Sequence, residues 1–85
     1  MTTEDQLLEP YTFTPTARFD EEVKQYYPGC RVTQGERFVE WREIVLGFDL
    51  EKYAMPYARE LVREVAGQYR QSLKRELDEL RRRFL

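Results

Sequence analysis

The chain has 85 residues, enough for one domain with a modest core and too few for two. Hydrophobic residues at 41% and aromatics at 14% exclude wholesale disorder. The formal net charge is −2 and the sequence pI about 5.2, the wrong sign for a partner held mainly through its phosphates.

The charge is unevenly placed. Residues 1–51 carry 11 acidic and 5 basic groups, net −6, and residues 52–85 carry 5 acidic and 9 basic, net +4. Opposite halves of this kind attract within one chain or head-to-tail between chains, and at physiological salt they steer more than they stabilise.

Residues 1–15, MTTEDQLLEPYTFTP, show no long periodicity and are expected to form a flexible or extended segment ahead of the domain at 16–85. Leu7, Leu8, Tyr11 and Phe13 read as a lid lying across helices, or alternatively as a linear strand offered to another protein. Over 16–27, Thr16 as cap, acidic Asp20 to Glu22 and the spacing of Phe19, Val23, Tyr26 and Tyr27 predict a first helix, closed by Pro28-Gly29. Cys30 to Val32 reads as a brief connector.

Thr33-Gln-Gly-Glu36 matches a capping box, and Phe38, Trp41, Val45 and Phe48 recur at helical steps up to Gly47 as a stop. That predicts a second helix. The rival is a strand over 37–46, because Phe38, Val39, Trp41, Ile44 and Val45 favour sheets. Asp49 is placed to cap a further turn from Leu50 to Ala54. Pro56 then disfavours helical geometry at Met55, so a break is expected there, with a kink as the alternative.

From Pro56 to Leu85 the apolar residues Leu61, Val65, Tyr69, Leu73, Leu77, Leu80 and Phe84 fall at steps of three and four, the mark of one long amphipathic helix. Arg81, Arg82 and Arg83 complement the helix dipole in its last turn. Gly67 interrupts the helix at a cost of about 1 kcal/mol. It reads as a surface glycine, with close approach of a partner backbone as the sharper alternative. The steps at 73, 77, 80 and 84 also match a heptad seam, two heptads being too few to establish a coiled coil.

The chemistry is sparse. There is no histidine, which removes the commonest general base, the triad and most zinc or iron ligand sets. Cys30 is unpaired and reads as a small buried residue, although Arg31 beside it would lower a thiolate pKa. Neighbouring carboxylates such as Glu40 with Glu43 read as solvated faces. No catalytic, metal-binding or cofactor-binding residue is assigned. With no signal-peptide pattern and no apolar run near 18 residues, the expected setting is the cytoplasm, without membrane contact.

The expectation is therefore an all-α fold of three to four helices. Two short helices and an extended N-terminal segment pack on one long C-terminal amphipathic helix, 56–85. The expected function is a non-enzymatic protein–protein interaction module: an adaptor, assembly factor, inhibitor or regulator of a larger partner. It forms a homo-oligomer through Leu73, Leu77, Leu80 and Phe84, and meets its partner through Tyr11, Phe13, Tyr53 and Tyr57. The alternative is a nucleic-acid-binding regulator using the basic face of that helix, against which Glu60, Glu64, Glu76, Asp78 and Glu79 interleave with its cations.

Overall fold

A computed structural model describes residues 10–85 as three strands followed by one helix. Strand β1 covers Tyr11–Asp20, β2 covers Gln25–Gln34, β3 covers Arg37–Glu43, and helix α1 covers Glu51–Phe84. The strands form one antiparallel sheet in the order β1-β2-β3, and α1 lies over one face of it, against β1 and β2. This overturns the all-α helical bundle: the fold is α+β, in two layers. Leu7 and Leu8 lie outside the described residues.

No helix forms over 16–27. Asp20, Glu21 and Glu22, taken as early charge in a helix, instead make the β1–β2 turn. The Asp20 carboxylate accepts the backbone N–H groups of Glu22 and Val23 at 2.9 and 3.4 Å, and Lys24 closes the loop at φ 56°. An Asx turn and a helix N-cap draw on the same side-chain oxygen, so Asp20 suits either. Phe19 and Tyr26 do meet, at 4.8 Å between ring centroids, but as a cross-strand pair.

The capping-box residues Thr33 to Glu36 likewise sit in a hairpin. Gln34 pairs with Arg37 across a two-residue turn whose first residue, Gly35, has φ 59° while Glu36 keeps a negative φ, the type II′ pattern. The residues beyond it form β3, as the rival strand reading of 37–46 had it, ending at Glu43. Gly47 does not stop a helix. It lies against Gln25, whose side chain fills the space a Cβ would need.

Pro28 and Gly29, read as a terminator, lie inside the central strand. Tyr26 exchanges both backbone hydrogen bonds with Phe48, and the Pro28 carbonyl accepts from Ile44 at 2.9 Å, so the even-numbered residues of β2 aim their backbone groups toward β3. The chain leaves the ladder after Ile44, whose own carbonyl accepts from Leu46, so no partner is lost where Pro28 lacks an N–H. The same alternation turns Pro15 outward on the free edge of β1. On the other edge the register shifts between Val32 and Thr33, leaving Val39 as an extra residue. Both edges are thus blunted against strand addition.

The core is small. Cys30 and Val32 of β2 and Val65 of α1 are fully buried, and Tyr11, Phe13, Val39, Leu61, Val62 and Tyr69 pack around them. Ala54 and Ala58, fully buried in α1, let the helix lie close to the sheet. The two valines contribute roughly 1.5–3 kcal/mol each. The helix is one element from Glu51, not a short helix and a long one broken before Pro56. Pro56 falls in its second turn. Leu50 is the N-cap and makes no side-chain cap bond, so Asp49 sits one residue too early for that role.

Candidate functional site

Antiparallel pairing sends alternate residues to opposite faces of the sheet. Even-numbered residues of β2 meet the helix, so Tyr27, Gly29, Arg31 and Thr33 face away from it. Their pairing places Thr12, Thr14, Thr16 and Arg18 of β1 and Phe38, Trp41 and Glu43 of β3 on that same outer face, over which no element packs among the described residues.

Its centre is a clamp across all three strands. Arg18 donates from Nε and Nη2 to the two carboxylate oxygens of Glu43, at 2.7 and 3.1 Å, passing over β2. Trp41 Nε1 donates to the same carboxylate at 3.2 Å. The Arg18 bonds hold the Glu43 carboxyl below the usual carboxylate range, against the opposing effect of burial. The guanidinium of Arg18 also lies 5.1 Å from the Tyr27 ring, and that of Arg31 lies 5.3 Å from the Phe38 ring. Trp41 rests on Gly29, where a Cβ would collide with ring atoms Cζ2 and Cη2. Arginine and aromatics are the residue types that interfaces concentrate.

Between β3 and α1 lies a second polar group. The Tyr69 hydroxyl donates to Glu40 Oε2 at 2.8 Å, Arg42 pairs with the other Glu40 oxygen, and Arg42 Nη1 donates to Gln68 at 3.2 Å. Arg42 lowers the Glu40 pKa; burial first, and then the bond to Glu40, pushes Tyr69 up to about 12. These bonds satisfy one another and tie the helix to the sheet. Burial pushes the Cys30 thiol up, so it has none of the thiolate character that Arg31 next to it suggested.

The residues assigned from the sequence fall in three places. Tyr11 and Phe13 are half-buried, each ring set edge-on to Tyr69 at 5.3 Å, which makes them part of the core seam. Tyr53 and Tyr57 are exposed at the start of the helix, Tyr57 against Phe48 at 4.9 Å. Leu73, Leu77, Leu80 and Phe84 run along its distal half. The first two are half-buried, while Leu80 is 49% and Phe84 76% exposed. Counting about 100° per residue, this distal stripe is turned roughly 80° around the helix from the residues that meet the sheet.

Trp41, Tyr27, Arg18 and Arg31 were not assigned as a surface from the sequence. No alternation marked it: Phe38 and Trp41 stand three residues apart, a helical step, and share the outer face only because the bulge leaves Val39 extra. No family model, no curated protein and no solved structure matches this chain. Among the described residues no helix is long and apolar enough to cross a membrane.

Proposed function

We propose that the protein is a small non-enzymatic interaction module that self-associates through the distal half of α1. One observation carries this reading. The helix is about 51 Å long at 1.5 Å per residue, whereas the longest strands extend about 33 Å, so roughly its last three turns run past the sheet, with Leu80 and Phe84 exposed. A row of that kind is stable in water when a second chain covers it.

The outer sheet face supports the second half of the reading, contact with a larger protein. Its aromatics are set among Arg18, Arg31, Asp20 and Glu43, whose charges cancel. That balance suits a protein surface better than a nucleic acid, and the pairing of Arg63 with Glu60 and Arg83 with Glu79 weakens the basic face of the helix in the same way.

Light-scattering mass on a sizing column tests self-association. The intact chain is expected as a dimer or larger, and Leu80→Glu with Phe84→Glu as a monomer; both sites are exposed, so the fold should survive. A monomeric wild type at high micromolar concentration would refute the reading.

A further inference from the structure

The two ends of the molecule are complementary, and one chain cannot bring them together. At one end, Tyr26, Leu50 and Met55 floor a shallow depression rimmed by the acidic Asp49 and Glu51 together with Lys52. Tyr53 is exposed on the first turn of the helix, and the β1–β2 turn, with Glu21, Glu22 and Lys24, comes just before Tyr26 in the chain. At the other end, Leu80 and Phe84 project from the helix; Arg81, Arg82 and Arg83 lead up to Phe84 in the last turn, while Glu76, Glu79 and Arg83 lie beside Leu80. One end is an apolar hollow with a net negative surround, and the other is an apolar ridge whose tip is cationic.

The same helix carries both. Glu51 and Phe84 are its first and last residues, close to 50 Å apart along a rod that cannot fold back on itself. The distal stripe also faces to the side of its own sheet, so an approaching surface reaches it unobstructed. Resting on the self-association proposed above, we infer that the contact is head-to-tail: Leu80 and Phe84 of one copy seat in the Tyr26–Leu50–Met55 hollow of the next, with Arg81 and Arg83 beside Asp49 and Glu51. The occupant is a second copy because the charge asymmetry of the two ends matches only when different ends meet. Two distal helices side by side would instead leave the acidic end of each molecule out of the contact. A contact between unlike patches does not close on itself as a two-fold does; it propagates into a ring or an open row.

Charge reversal tests the geometry. Asp49→Lys with Glu51→Lys inverts the hollow, and Arg81→Glu with Arg83→Glu inverts the ridge; circular dichroism confirms the fold of each. Each variant alone is expected to be monomeric, with self-affinity at least tenfold below wild type, and an equimolar mixture is expected to assemble again because both contacts are restored. Should a reversed variant lose its helix signal, disulfide trapping decides instead. Tyr53→Cys mixed with Leu80→Cys is expected to cross-link between the two, Cys30 being buried and out of reach.

If wild type associates but the hollow-inverted chain still does, or if trapping joins only position 80 to position 80, the contact is between like ends. The head-to-tail inference is then wrong while self-association stands. Reversed monomers that stay apart on mixing overturn it as well. A wild type that is monomeric throughout overturns both.

Discussion

Two residues show how closely the sheet is fitted on each side. Gly29 is the floor on which the Trp41 ring lies, and the Arg42 carbonyl is only 2.9 Å from where its Cβ would be. Gly29→Ala therefore has to displace an indole or bend the β2–β3 ladder. It is expected to cost about 1–3 kcal/mol in urea unfolding and to red-shift Trp41 fluorescence as the ring lifts. An unchanged midpoint and spectrum would mean the ring does not rest there. On the helix side, Tyr69 is pushed up to about 12, above the usual tyrosine value near 10. A raised pKa means the fold favours the protonated hydroxyl. That contribution is complete below about pH 10 and is lost as pH rises through 12. Tyr69→Phe lacks it at every pH, so its stability deficit, about 1 kcal/mol at pH 8, should shrink by pH 11. A gap that stays constant in denaturant unfolding at the two values would argue against the Glu40 bond.

At the scale of elements, the helix was legible because its apolar steps stay near the helical period from Leu61 to Phe84, with Gly67 the one interruption. The distal stripe was legible for the same reason. The sheet was hidden by residues that serve two structures equally. Asp20 opens a helix or a turn, and Gly35-Glu36 completes a capping box or a type II′ hairpin. The outer face could not be read at all before the register was known, because Arg18 and Glu43 are 25 residues apart and meet only through β2. Pro56 misled in the opposite sense. It looks like a break, yet the helix runs from Glu51 straight through it, giving up the bond that the Lys52 carbonyl would accept from a residue with an N–H. Pro56 is exposed, so nothing is lost by removing its ring. Pro56→Ala is expected to raise stability by about 1–3 kcal/mol, read as a higher melting temperature. A lower one would show that the proline positions the first turn.

The whole molecule is long for its length of chain. Its radius of gyration is 16.0 Å and its extents are 55 × 22 × 18 Å, where a compact chain of this size has a radius near 12 Å. The elongation comes wholly from the helix outrunning the sheet, and it is what holds the acidic and basic ends apart. The order β1-β2-β3 has its own consequence, in the economy of folding. Each strand pairs with its neighbour in sequence, through turns of four and two residues, so the sheet is built from closures of the shortest kind. Closing a loop costs entropy that rises with its length, if slowly. The longest of the closures described is the setting of Tyr69 against Tyr11 and Phe13, which draws the helix back to the first strand. Those rings are the clasp of the chain: they fasten its first described strand to its helix, across a longer stretch of sequence than the bonds of Tyr69 to Glu40 and Arg42 to Gln68.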